Sequence, residues 1–198
     1  MMHTEPLTLM GKHVCLEPLQ LSHTAVLLRA GQDPGIWTFM SFNPSVSAET
    51  MESWISEALS LQQAGMCLPF VIIDQRNGHV VGSTRYLDIV AKNYGLEIGW
   101  TWLAPEARRT VVNTECKYLL LRHAFEDLRA IRVQLKTDSR NERSQRAIER
   151  IGGVREGVLR NHVIMPDGYY RHSVYYSILN TEWEQVKHNL SAKLEQVY

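Results

Sequence analysis

Three short stretches of the sequence carry side chains of the kinds that move protons or grip anions. In YGLEIGWTWL, residues 94–103, a single carboxylate, Glu97, interrupts an otherwise apolar run. The two-residue strand period sets Leu96, Ile98, Trp100 and Trp102 on one face and Glu97, Gly99 and Thr101 on the other. Partial burial of such a carboxylate raises its pKa towards the range useful for a general base, whereas one facing water or an arginine is structural. In APEARRTVVNTE, residues 104–115, a strand-like run gives way to a helical one. The free N–H groups and positive dipole end at such a junction suit a phosphate. Arg108 and Arg109 either add charge-assisted hydrogen bonds there or are solvated surface charges. In RNERSQRAIERIGG, residues 140–153, Asn141 precedes a helix and Ser144 lies one turn in. The bland roles for this pair are capping the helix and bonding the preceding turn. Tyr175 and Tyr176 offer further hydroxyls, with sheet packing as the alternative.

Composition excludes several chemistries. The chain has 198 residues and balances 21 Lys+Arg against 21 Asp+Glu, so no overall field draws it to nucleic acid or anionic lipid. Aromatic and basic residues do interleave in RNHVIMPDGYYRHSVYY, residues 160–176, but neutrality makes a nucleic-acid binder a distant third reading. Eight histidines and three cysteines show none of the close spacings of metal ligands, so no dedicated metal site is expected. No G-x-S-x-G, P-loop or G-x-G-x-x-G occurs, which removes support for serine hydrolases, nucleotidases and Rossmann dehydrogenases. Cys15, Cys67 and Cys116 leave one thiol over under any pairing, which suits a reducing compartment. MMHTEPLTLMGKH is not a secretory leader, and the longest aliphatic or aromatic run is as short as FVII, so a cytoplasmic chain without membrane spans is expected.

The elements that must position these residues are readable from periodicity and punctuation. A strand at HVCLEPL (13–19) precedes a helix capped by Ser22 and ending near Gly31. Ser47 caps a second helix carrying Met51, Trp54, Ile55 and Ala58, with Val46 and Met51 as a hydrophobic staple and a stop at Gly65. Asn-Gly in QRNG joins LPFVIID and HVVGSTRYLDI as a hairpin. After the 94–103 strand, a helix from Asn113 aligns Cys116, Leu120, Ala124 and Leu128. IRVQLKT (131–137) alternates as a strand, and the next helix aligns Ser144, Ala147, Ile148 and Ile151 before Gly152 and Gly153. PDG turns a late hairpin. A terminal helix spans about 181–197, opened by a Thr181-x-x-Glu184 capping box. A single α+β domain over 1–198 follows: a mixed, mostly antiparallel sheet with helices on both faces.

LEIGWTWLAPE, NTECKYLLLRHAFEDL and TDSRNERSQRAIERIGGVREGVLR, in this order on these elements, resemble the GNAT acetyltransferase superfamily. The likeness is closest to its branch of ribosomal-protein N-terminal acetyltransferases and runs from about Leu9 to Trp183. The resemblance implies a twisted sheet whose central parallel strands splay apart, with acetyl-CoA in the gap as co-substrate. Trp102 and Leu103 would then bond the pantetheine arm through their backbone, and Arg108, Arg109, Thr110, Val111, Val112 and Asn113 would meet the pyrophosphate. Asn141 would hold a pantetheine amide or a water, Glu97 would act as base, and Ser144 would serve the departing thiolate. Two departures stand out. Arg109 and Val111 fill positions that are usually glycine, and His172 stands where the branch carries Asp. The implied activity is acetyl transfer to a primary amine, either a protein N-terminus or a small molecule, by direct attack. The alternative is a catalytically weak or inactive acyl-CoA-binding module. An apolar acceptor wall is expected from Trp37, Phe39, Met40 and Tyr169, with Asp33, Glu49 or Asp167 for charged acceptors. Homodimerisation through the late hairpin or last helix is a further expectation.

Overall fold

An Asn-Gly turn organises the first half of the molecule. The computed structural model describes residues 2 and 4–196. In it the backbone amides of Asn77 and Gly78 donate to the Asp74 carbonyl, with Gly78 at φ +72. This left-handed conformation is one that glycine adopts without steric cost. The turn joins β3 (Leu68–Asp74) to β4 (His79–Val90). β2 (Val14–Pro18) lies antiparallel on β3, and the two-residue β1 (Leu9–Met10) on β2. β5 (Gly95–Leu103) lies antiparallel on β4. β6 (Arg132–Asp138) runs parallel to β5, and β8 (Tyr170–Leu179) sits antiparallel between β6 and the edge strand β7 (Val154–Ile164). The order β1-β2-β3-β4-β5-β6-β8-β7 contains one parallel pair, giving the expected mixed α+β sheet.

Helices cover both faces because each presents an apolar stripe. α3 (Val112–Arg122), α4 (Glu142–Arg150) and α5 (Trp183–Glu195) pack on one face, where Cys116, Leu120, Ile148 and Leu190 meet Leu96, Ile98, Val133 and Tyr176. α1 (Thr24–Ala30) and α2 (Ala48–Gln63) pack on the other, with Leu27, Met51, Trp54 and Ile55 against Val71 and Trp102. Each fully buried aliphatic side chain contributes about 1.5–3 kcal/mol.

Two irregularities position the site. First, Ser83 pairs with Trp102 but Arg85 pairs with Gly99, so Thr84 alone faces both Trp100 and Thr101. Trp100 takes φ +49 in this bulge. One extra residue reverses the alternation. Leu96 and Ile98 face α3, whereas Trp100 and Trp102 join the α1–α2 core and Thr101 turns towards α3. The expected single apolar face of Leu96, Ile98, Trp100 and Trp102 is therefore split across the sheet. Second, β5 and β6 pair only at Gly95↔Arg132, Leu96↔Val133 and Glu97↔Gln134. Beyond that point β5 continues to Leu103 and β6 to Asp138 unpaired with each other, so the strands splay.

Helix ends differ from expectation where tertiary contacts or a tighter turn compete. Ser47 accepts from the Thr50 amide as expected, but Val46 is 73 % exposed and makes no staple with Met51. A 3₁₀ turn at Leu21–His23 precedes α1, and its Gln20 amide donates to His23 Nδ1, displacing Ser22 from the cap. Another at Asn180–Glu182 precedes α5, where Glu182 rather than Glu184 accepts, from the Leu179 amide. The expected end of this helix at 197 lies outside the described residues. α3 runs into a π-helical turn at His123–Asp127, which keeps Ala124 and Leu128 buried. Among the described residues no helix is long and apolar enough to cross a membrane.

Candidate active site

Glu97 stands at the last rung before the strands part. Its side chain points away from α3, and the residue is 1 % exposed. Oε2 accepts from Gln134 Nε2 at 2.7 Å and from Lys136 Nζ at 3.1 Å. Both donors come from β6, which Glu97 faces because of the parallel register. Among the described residues no hydrogen bond engages Oε1, which lies over Gly99 beside Leu87: a Cβ at Gly99 would sit 2.9 Å from Oε1 and 2.8 Å from Leu87 Cδ2. Burial raises the Glu97 pKa, opposed by Lys136 and Gln134 and helped by Asp88. Lys136 is less deeply placed. Burial pulls its pKa down, but Glu97 and Asp88, the latter 3.6 Å from Nζ, outweigh that and raise it. The result is a carboxylate with one anchored oxygen, one free oxygen and an elevated proton affinity.

At the far end of β5 the loop has the shape its sequence departures imply. Arg109 adopts φ +58, the left-handed region natural to glycine, and is exposed. Val111 lies at φ −64, ψ −21, an ordinary helical conformation that needs no glycine. Thr110 Oγ1 donates to the Ala107 carbonyl and accepts from the Val112 amide, holding the turn that leads into α3. The amides of Asn113 and Thr114 find no protein acceptor, as the first turn of a helix leaves them. Arg108 is not a loose loop charge. Its Nε donates to the Leu103 carbonyl at 3.1 Å and its Nη1 reaches Asp33 Oδ2 at 3.1 Å, tying the loop to the α1–α2 connection and occupying Asp33.

On the other wall, Asn141 Oδ1 accepts from the Ser144 amide and so caps α4, while the half-buried Ser144 hydroxyl makes no hydrogen bond among the described residues. Asn141 also lines an open cleft of about 360 Å³ with Gly35, Phe39, Arg140, Glu142 and Arg143. The Arg140 guanidinium stacks 3.7 Å from the Tyr169 ring centroid and is held by Asp138. Of the expected acceptor wall, Phe39 and Tyr169 flank this arginine, whereas Trp37 is core, packed on Trp102. Glu97 and Ser144 do not touch. They belong to opposite faces of the sheet, joined only through the opening. Tyr176 is fully buried with its hydroxyl on Glu149, while Tyr175 pairs with Lys136 and lies 3.3 Å from His162 Nε2.

Sequence reasoning passed over several of these groups. Gln134 and Lys136 alternate correctly on β6, but nothing local says which strand they face. His162 reaches Tyr175 and Ser173 because β7 bulges between Leu159 and Val163, with Asn161 at φ +52. Glu115 resembles a first-turn helix residue, yet its buried carboxylate accepts from the amides of Lys12, His13 and Val14, a contact about a hundred residues away in sequence. His172 Nδ1 accepts from the Asn161 amide, a local structural role at the position where Asp is usual. Among the described residues no group of three His, Cys, Asp or Glu is placed to hold a metal ion.

Comparisons with known proteins agree with this geometry. Residues 13–154 match the acetyltransferase (GNAT) domain family. The chain is 31% identical over 181 residues to the "Putative ribosomal N-acetyltransferase YdaF" of Bacillus subtilis (strain 168), covering 87% of this chain and 92% of that protein. A crystal structure of a "putative acetyltransferase" from T. thermophilus superposes with a TM-score of 0.88 at 41% identity, covering 98% of this chain and all of the other. Mycobacterium smegmatis RimJ, solved in complex with CoA-disulfide, shares the fold at a TM-score of 0.79 and 23% identity, covering 91% of this chain and 88% of RimJ. A sheet opened between β5 and β6, with a buried carboxylate at its apex and a helix start beyond, is thus set among relatives of one kind: the chain belongs to the GNAT acetyltransferase family, in its ribosomal-protein N-acetyltransferase-like branch.

Proposed function

We propose that this acetyltransferase uses acetyl-CoA and passes the acetyl group directly to a primary amine within a ternary complex. The observation that carries this reading is the three-rung β5–β6 ladder ending at Glu97, with free strand edges beyond it. Those edges fit a pantetheine arm, which would lie along the backbone of Trp102 and Leu103. The unpaired amides of Asn113 and Thr114, in the turn led by Thr110, Val111 and Val112, fit a pyrophosphate. Of the two loop arginines Arg109 is the one available to meet it, since Arg108 is committed to Asp33. Asn141 borders the open end. When bound, acetyl-CoA supplies an activated acyl carbon and a thiolate leaving group.

The chain's own residues then divide the proton work between the two faces. Glu97 Oε1 takes the proton that the attacking ammonium must lose; Lys136 and Gln134 fix its partner oxygen and so its direction. On the α4 side the Ser144 hydroxyl, without a hydrogen bond among the described residues, would hydrogen-bond the sulfur as it gains charge. Thiol release from acetyl-CoA in the presence of a mixed amine panel tests the reading. Glu97→Gln should lower kcat/KM by roughly 10²–10⁴-fold. Ser144→Ala should lower kcat with KM nearly unchanged. Acetyl-CoA binding with no release from any amine would favour the inactive acyl-CoA-binding module instead.

A further inference from the structure

A guanidinium without a counter-ion lies under the same face as Glu97. Arg85 of β4 is 4 % exposed, and among the described residues no carboxylate forms an ion pair with it. Its Nε and Nη2 find no acceptor, and neither does the nearby Trp54 Nε1. Two rings hold it instead, with Cζ 4.1 Å from the Trp54 centroid and 5.4 Å from that of Trp100. The other groups it feels do not neutralise it. Cys67, which shares a side-chain hydrogen bond with Arg85, is a thiol that burial pushes up to about 11, and Glu57 is exposed on α2. A buried cation lacking an anion is among the costliest arrangements in a protein, and contact with aromatic faces offsets only part of the cost.

The sheet register shows what would complete it. Arg85 pairs with Gly99 and Leu87 with Glu97, making Arg85 and Glu97 diagonal neighbours on one face, their β-carbons roughly 7–8 Å apart. Between them lies Gly99, whose missing side chain leaves room that Glu97 Oε1 and Leu87 Cδ2 share. The two unsatisfied nitrogens, Nε and Nη2, form the edge of the guanidinium that matches a carboxylate with two parallel hydrogen bonds. Resting on the acetyl-transfer reading above, we propose that the acceptor is an amino-carboxylate: its ammonium meets Glu97 Oε1, and its carboxylate, a few bonds away, meets Arg85 Nε and Nη2. Admitting it requires the half-exposed Trp100 ring, at the bulge, to move aside. Either the carboxylate of a free amino acid or the side chain of an acidic N-terminal residue presents this chemistry.

Matched acceptors test the proposal on the whole chain with acetyl-CoA. Glycine against glycinamide and 4-aminobutyrate against its amide probe free acids; Asp-Ala-amide against Asn-Ala-amide probes N-termini. The carboxylate member of at least one arm should win by about ten-fold or more in kcat/KM, and the winning arm names the source. Arg85→Gln should raise KM for the carboxylate acceptor far more than for its amide, and Arg85→Lys should keep part of the preference. Equal use of both members in every arm by the unsubstituted protein, a comparison needing no variant to fold, would overturn it. Should no amine be turned over, acetyl transfer fails as a reading on its own. The pocket is then judged by tryptophan emission: 4-aminobutyrate changing it where 4-aminobutyramide does not sustains the site, and identical titrations sink it.

Discussion

Lys117 of α3 should destabilise the fold at neutral pH, and its removal should show this. The residue is 6 % exposed, and its Nζ donates to Thr101 Oγ1 at 2.5 Å, which in turn shares a hydrogen bond with Thr84. Among the described residues no carboxylate forms an ion pair with it. Burial lowers its pKa from 10.5 to about 8. Because the folded pKa is depressed, the unfolded chain binds more protons between these values, and stability rises with pH through that window. At 1.36 kcal/mol for each pH unit, the penalty is about 3 kcal/mol at pH 7 and falls to between about 1 and 2 kcal/mol at pH 9.5. Lys117→Met, of similar length and apolar, leaves the Thr84–Thr101 bond in place. Thermal unfolding of both proteins should therefore show the variant more stable at pH 7, by an amount reduced by the lost Thr101 contact. The gap should close by about 2 kcal/mol, some 4–8 °C, on moving to pH 9.5. A gap that stays constant across this range would refute the assignment of the titration to Lys117.

Other substitutions probe the loop and the scaffold. Arg109→Gly should relieve the left-handed backbone and stabilise the fold by about 0.5–1 kcal/mol, while weakening acetyl-CoA affinity about ten-fold by calorimetry through loss of a charge-assisted bond; tighter binding would show that backbone approach, not charge, limits the loop. Glu115→Gln exchanges an acceptor for a donor before three amides and should cost about 2–3 kcal/mol in urea unfolding, and a cost below about 0.5 kcal/mol would show that those contacts carry little.

Much of this fold is legible in the amino-acid sequence because its signals are local. Asn77-Gly78, the Ser47 cap, the α3 stripe through Cys116 and Leu120, and the alternation of residues 131–137 each depend on neighbours a few positions away. What the sequence conceals depends on register or on distant partners. The bulge at Trp100 and Thr101 leaves composition unchanged while reversing which face each side chain takes, so four apolar residues read as one stripe. Glu97 is visible as an anomaly, but its anchoring by Gln134 and Lys136 exists only because β5 and β6 pair in parallel at that rung. Arg85 reads as an ordinary strand residue, and its isolation emerges only when α2 closes over it. Arg108 illustrates the converse: a basic residue at a strand-to-helix junction whose charge is spent on Asp33, 75 residues earlier in the chain.

The central claim, that the gap beyond Glu97 and Gln134 receives a thioester, is tested most directly by a crystal structure of the chain with acetyl-CoA. The account predicts the pantetheine arm along β5 at Trp102 and Leu103, the pyrophosphate at Arg109 and the Asn113 and Thr114 amides, and the acetyl carbonyl within reach of the Glu97 face. A coenzyme bound elsewhere, or β5 and β6 closed against each other past Glu97, would contradict it.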